Sequence, residues 1–439
     1  MSINSFIGVD KLSGKGKSLI YRYLTLFLSN SFFLNLSSTF FILFAIDFGG
    51  FVLASIMTAV MLFTQLVFDY PFGSLGDWIG QKWVLALSYL SYSVAYLTLI
   101  VVQNFTGFIL VAIFMGFALA QATGTLQTWF ESNYQKVTGK TDPERKLFGF
   151  ITSRIDTLNY LVTMVSIIFG GIIATTISRR MVFLLQVGTL LILALVALIL
   201  LKNTRPKELD NLMTEENKAL TNYFMYLKGG ISFVFSTRTS FFFIVGLAVN
   251  NVSWYVWGSL ILFPLYFGYT GSDAGASLFR TTSFMITVVI NVFNAKISKR
   301  FSNHHYPSFL FLHALIFYPA FIILFTLLPV NNTLNLLGII IALFIINLTI
   351  AFIVNLGVIL ERRIRIDLIP SENRNAVYSL IPTIVALIGI PIFPFTGYLI
   401  DNYGLIPGIV ICFISYTIGS SFMTYAVRYH VKILNNDVI

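Results

Sequence analysis

The chain has 439 residues, of which 57% are hydrophobic and only 10% charged, with a mean hydropathy of +0.83 and a formal net charge of +10. A soluble domain carries about 25% charged residues, so this composition excludes an ordinary water-soluble enzyme or nucleic-acid-binding module and describes a polytopic membrane protein. The single cysteine, Cys412, excludes a disulfide framework and a cysteine-based metal site.

Cutting the chain at charged or Gly/Pro/Asn clusters leaves apolar runs at 19–46, 51–72, 83–102, 107–128, 147–177, 181–201, 240–267, 274–297, 308–329, 333–358, 375–400 and 406–427. Each exceeds the ~20 residues that a ~30 Å hydrocarbon core requires. The expectation is an all-α integral membrane protein of twelve transmembrane helices, without β-barrel alternation. The polar, basic segment 1–18 leads into a first helix with no small-residue cleavage site behind it, so that helix reads as uncleaved. With the N-terminus inside, 24 of the 28 Lys and Arg fall in cytoplasmic segments, which predicts cytoplasmic N- and C-termini. The positive charge is then a topology signal, and no nucleic-acid partner is needed to explain it.

Helix 1 carries Asn30, Asn35, Ser37, Ser38 and Thr39 in its middle, and mid-membrane amides favour a cavity or another helix over lipid. Helix 2 runs inward to Asp69, about 12 Å deeper than Asp77 in the following turn. A buried acid there must be paired, protonated or facing water, so Asp69 reads equally as a structural acid or a protonation site. Helix 4 offers Gln121, and near its end Gln127 and Glu131 share one face at i,i+4 spacing. Helix 5 holds Arg154, Asp156 and Asn159 before Gly170-Gly171, a pair that reads as close packing. The hydrophilic stretch 202–239 divides the runs six and six and reads as a cytoplasmic linker with a short surface helix.

The second half repeats the first. Laying residues 295–301 over 73–79 gives an offset of 222, at which Asp69 falls on Asn291 and Asn30 falls beside Asn250 and Asn251. Helix 7 adds Ser253, Trp254 and Trp257, and amides beside indoles suggest a partly apolar, hydrogen-bonding pocket. Arg280 in helix 8 and Asp156 in helix 5 lie at nearly coincident depths, about 12 and 13 Å from opposite faces. Either they exchange partners or each is paired statically within its own half. Helix 10 brings Asn347 and Asn355, and helix 11 contains Pro382, Pro391 and Pro394, which predict kinks. The interiors of helices 3, 6, 9 and 12 lack Asn, Asp, Glu, Lys and Arg, so every third helix is expected to face lipid. His313 in helix 9 reads as packing, and His304 and His305 have no partners at metal-ligand spacing.

The spacing Gly73-x-Leu75-x-Asp77-x-x-Gly80-x-Lys82 resembles the loop between helices 2 and 3 of the major facilitator superfamily of secondary transporters, with Gln81 where the family usually has a basic residue. Asp69-x-Pro71-x-Gly73 is similar to a subgroup that has an acid, Pro and Gly there. The Arg that many members carry in helix 4 is missing, and so is the Gly-Pro that precedes Gly-Gly in the antiporter motif of helix 5. The resemblance implies two six-helix halves related by a parallel repeat, 19–201 and 240–427, flanked by the linker 202–239 and a cytoplasmic tail 428–439. It implies a conformational switch at Gly73, Asp77, Gly80 and Lys82. The coupling candidates are Asp69, Asp156 and Glu131, and the substrate-binding candidates Asn30, Asn35, Gln121, Asn250, Asn251, Trp254, Trp257, Arg280 and Asn347. The expected function is alternating-access transport of a small organic solute by a monomer in the plasma membrane, with protons as a possible coupling ion and no cofactor or metal. A non-transporting receptor or scaffold on the same fold is the alternative.

Overall fold

The computed structural model describes residues 3–138, 142, 146–201, 231–328, 336–369 and 374–436. The described residues form helices and turns, with no strand among them. Among the described residues ten helices are long and apolar enough to cross a membrane, and the expected helices 1 and 8 are not among the ten. Their polarity explains this: the first includes Lys15, Lys17 and Arg22, and the second Asp273, Arg280 and Lys296. Most of the linker at 202–239 lies outside the described residues, apart from a short helix at 231–236 and the start of the next helix.

In chain order the helices are α1 (Ile3–Ile7), α2 (Gly14–Asn35), α3 (Phe41–Ile79), α4 (Gln81–Val101), α5 (Phe105–Ala122), α6 (Thr125–Thr138), α7 (Lys146–Thr176) and α8 (Arg179–Leu200). After α9 (231–236) come α10 (Arg238–Val256), α11 (Leu262–Thr270), α12 (Asp273–Ile297), α13 (Tyr306–Leu327), α14 (Leu336–Leu368), α15 (Arg374–Tyr403) and α16 (Leu405–Asn436).

Helix starts follow from side chains that satisfy the orphan amides of a first turn. Ser13, Asn104, Ser178 and Thr237 accept from the backbone amides of Gly16, Gly107, Met181 and Ser240. The buried Asp142 does the same for α7, accepting from Leu147 N at 3.1 Å and Phe148 N at 2.8 Å.

Breaks fall where local chemistry competes with the helix. Helix 1 was expected to run unbroken over 19–46; instead it stops at Asn35, where the Ser38 hydroxyl donates to the Asn35 carbonyl at 2.9 Å, and restarts at Phe41. A second break at Gly49-Gly50 separates it from helix 2; Gly50 has φ +71°, in the left-handed region that favours glycine. Helix 4 divides at Thr123-Gly124, and helix 7 contains a π turn at Trp257–Ile261. α15, by contrast, is assigned as one helix through all three prolines.

The chain divides into two compact units. The first comprises residues 1–45, 60–207 and 272–281, and the second 46–59, 208–271 and 282–439. The units therefore follow the two sequence halves except at two segments, the start of helix 2 and the start of helix 8. These segments are themselves mates under the 222-residue offset, which carries 50–59 onto 272–281.

Packing inside each unit shows the repeat independently of sequence. In the first unit α2 packs on α7 and α8, and α4 packs on α5 and α8. In the second, α10 packs on α15 and α16, and α13 packs on α14 and α16. Each pair in one unit has its mate in the other.

The expected lipid face holds for α8, where Ile192, Leu195 and Ile199 are strongly exposed. α4 presents such a face too, with Leu90, Val94, Leu97 and Val101 exposed along one side, while most of the rest of the helix is buried. Ser88, Ser91, Ser93, Ala86 and Ala95 give α4 a surface narrow enough for α5 and α8 to close on it from two sides.

Candidate functional site

In the first unit, Asn30 is half-buried, and Asn35 turns back on its own helix, donating to the Ser31 carbonyl at 2.7 Å. Gln121 is fully buried; its Oε1 accepts from the Ser91 hydroxyl at 3.3 Å and its Nε2 has no partner. Asp69 is exposed and lies in hydrogen-bonding range of Thr123, at the break in helix 4. Gln127 donates to Glu131 at 2.8 Å, as the i,i+4 spacing predicts, on an exposed face. Arg154 lies between the rings of Phe6 and Phe150, at 4.8 and 5.2 Å, so it pins the N-terminal segment to α7. Asp156 is exposed, and no ion pair joins it to the half-buried Arg280.

In the second unit the expected amide and indole group is drawn into packing. Asn250 is buried and donates to the Ser420 hydroxyl at 3.4 Å, while Asn251 is half-buried. Trp254 stacks on the His313 ring at 5.3 Å, and Trp257 sits in the π turn between Phe317 and Phe321, at 4.6 and 4.8 Å. The Ser253 hydroxyl bridges the Tyr318 hydroxyl and the Cys412 carbonyl, both at 2.8 Å. These contacts knit α10 to α13 and α16. His313 is a buried member of that cluster, consistent with a packing role. Asn347 donates to the carbonyl of Leu343 on its own helix at 2.8 Å.

Close helix contacts recur at the two segments that depart from their sequence halves. In the first unit, a Cβ on Gly171 of α7 would overlap the Ser277 hydroxyl of α12 and stand 2.8 Å from the Asp273 carbonyl. In the second, a Cβ on Gly397 of α15 would overlap the Ser55 hydroxyl of α3 and stand 2.5 Å from the Phe51 carbonyl. Ser55 and Ser277 stand 222 residues apart, as do Phe51 and Asp273, so the same glycine-on-serine contact is built twice. Gly170 faces the backbone of Leu36 instead, so the two glycines admit two different neighbours.

The end of the packing helix also caps each seam. The Thr175 hydroxyl accepts from Ala274 N at 2.9 Å. Asp401 accepts from Phe51 N and Val52 N, one oxygen each, both at 2.7 Å. The first seam carries more besides: Thr39 and Ser277 share a hydrogen bond of 2.9 Å, and Arg179 grips Asp273 with two bonds of 2.8 and 2.9 Å. Both partners of that ion pair are largely buried. Sequence reading missed the Arg179–Asp273 pair, whose members lie 94 residues apart.

The sequence profile described as Major Facilitator Superfamily matches residues 23–381. The chain belongs to the major facilitator superfamily. No curated protein is detectably similar in sequence. The fold resembles that of the nucleoside transporter NupG at 15% identity and a TM-score of 0.63, covering 94% of this chain and 99% of that one. It also resembles a bacterial homolog of the human lysosomal transporter Spinster, in its inward-facing and unoccupied conformation, at 15% identity and a TM-score of 0.65, covering 94% and 97%. A D-xylose–proton symporter matches at 13% identity and a TM-score of 0.60, covering 94% and 96%. A superfamily member with ten apolar spans is an integral, multi-pass membrane protein. In the superfamily loop between helices 2 and 3, Gly80 has φ +93°, which accounts for glycine there, and Lys82 lies over the Trp83 ring at 5.1 Å. Gly73 and Asp77 fall on the last turns of α3, with side chains outside the described residues.

Proposed function

We propose that the protein is a secondary active transporter that moves a small organic solute across the plasma membrane by alternating access. In this reading it has twelve spans in two halves, 19–201 and 240–427, and both termini are cytoplasmic. The observation that carries the proposal is the doubled glycine-on-serine seam. A helix end capped by a neighbouring helix over a glycine contact is a joint held by close approach and hydrogen bonds. In this reading the joint parts and re-forms as the solute crosses. Two repeat-related copies, at the two segments exchanged between units, are what a rocking-bundle mechanism needs.

In the same reading Asp69 is the coupling acid, and Gly73, Asp77, Gly80 and Lys82 form the conformational switch. Asp69-x-Pro71-x-Gly73 then assigns the chain to the acid-Pro-Gly subgroup. Asn30, Asn251 and Arg280 are the polar groups offered to solute. The test is uptake into proteoliposomes of a solute that raises the thermal stability of the purified protein, with and without an imposed pH gradient. Gradient-driven accumulation supports the reading; binding without any uptake overturns it in favour of a receptor.

A further inference from the structure

One concavity in the first unit belongs to none of the groups above. It is a depression of about 500 Å³ lined by Gly14, Lys17, Ser18, Tyr21, Arg22, Thr25 and Leu200. All but Leu200 lie on the first three turns of α2, and Leu200 is the last residue of α8, which packs against α2. The depression thus sits at one end of the helix pair, where a membrane-spanning α8 leaves the hydrocarbon.

We propose that this depression binds the phosphate of an anionic phospholipid headgroup. Lys17 and Arg22 are both half-buried, and neither side chain makes an ion pair or hydrogen bond to another described residue. Two cations held partly out of water without a side-chain partner among the described residues favour an anion from outside. Ser18 and Thr25 place exposed hydroxyls on the same wall. Tyr21 is fixed by donating its hydroxyl hydrogen bond to Asn4 of the folded N-terminal segment, so that wall is preformed. The amides of the first turn at Gly14 add the positive end of the helix dipole.

The apolar surroundings distinguish a lipid from a free anion. Ile192, Leu195 and Ile199 form an exposed stripe along α8, with Ile199 at 78% exposure, and this stripe runs to the Leu200 edge of the depression. A phosphate seated between Lys17 and Arg22 would therefore have a bed for acyl chains beside it. Basic pockets between helix ends at a membrane face take anionic headgroups, with each basic residue contributing about 1 kcal/mol near the surface, or roughly fivefold in affinity.

The experiment titrates the full-length protein in neutral detergent with short-chain phosphatidylglycerol, short-chain phosphatidylcholine, glycerol phosphate or inorganic phosphate, and follows the unfolding midpoint. Phosphatidylglycerol is expected to raise the midpoint at concentrations where the other three do little. K17Q/R22Q should need about thirtyfold more phosphatidylglycerol for the same shift. Thr25→Glu, which keeps both cations but places a negative charge in the depression, should weaken binding comparably and serves if the double variant does not fold. The proposal is overturned if phosphatidylcholine matches phosphatidylglycerol, if free phosphate or glycerol phosphate does so, or if the variants titrate like the parent.

Discussion

The two seams share a plan and differ in what closes them. In the second unit the cap is a carboxylate, Asp401, spanning two amides at the start of helix 2, and the residue that admits it is Gly50, where a Cβ would stand 2.8 Å from both carboxylate oxygens. In the first unit the equivalent cap is a hydroxyl, Thr175, and the charge has moved to a neighbouring ion pair between Arg179 and Asp273. An exposed carboxylate on two amides can be released to water at small cost. A largely buried, doubly bonded ion pair cannot. The comparison teaches that the two halves of a repeat can keep a contact's geometry while changing its strength, and it makes the second seam the weaker of the two.

The largest effect should come from filling the glycine contact. Gly397→Leu would drive a side chain into Ser55 and the Phe51 carbonyl, and Gly171→Leu would do the same at Ser277. Either should abolish uptake while leaving the protein monodisperse in detergent; normal uptake by Gly397→Leu would remove the seam from the mechanism.

Next comes the ion pair. Removing one partner of a buried pair costs about 3–5 kcal/mol because the other is left unmatched. Arg179→Ala and Asp273→Ala should each lower thermal stability strongly, and the double substitution should be less harmful than the sum of the two. Additive losses would show that the pair is not coupled.

Smaller again is the cap at the weaker seam. Asp401→Ala should cost about 0.5–2 kcal/mol, as other lost N-caps do, and Asp401→Asn less, since its amide oxygen still accepts from one amide. Accessibility of a cysteine at position 51 to a water-soluble thiol reagent should rise in Asp401→Ala, and unchanged labelling would contradict the assignment. Thr175→Val, which removes one neutral hydrogen bond, should have the smallest effect, about 1 kcal/mol.

Much of this was legible in sequence, for stated physical reasons. Apolar run lengths located the helices, and the 222-residue offset predicted a repeat that helix packing reproduces. Gly170-Gly171 read as close packing and proved to be so. Gln127 and Glu131 met because i,i+4 spacing leaves them little choice. What sequence hid was any feature that depends on partners distant in the chain. Arg179 and Asp273 lie 94 residues apart, and Asp401 and Phe51 lie 350 apart, so neither contact leaves a local pattern. Polar residues in apolar helices likewise hide their partners from the sequence. Asn250, Trp254 and Trp257 suggested a pocket because of their types, yet their bonds and rings go to Ser420, His313 and Phe317 within one packed group. The segment before helix 1 read as polar, but Ile7, Val9 and Leu12 are buried there and Phe6 stacks on Arg154.

The account rests on the seams parting during transport, and the Thr39–Ser277 contact tests this most directly. The two hydroxyl oxygens are 2.9 Å apart, close enough for cysteines at both positions to form a disulfide in a Cys412→Ala background. Uptake into proteoliposomes should be lost when the Thr39→Cys/Ser277→Cys protein is oxidised and should return on reduction. Full uptake by quantitatively cross-linked protein would contradict the account.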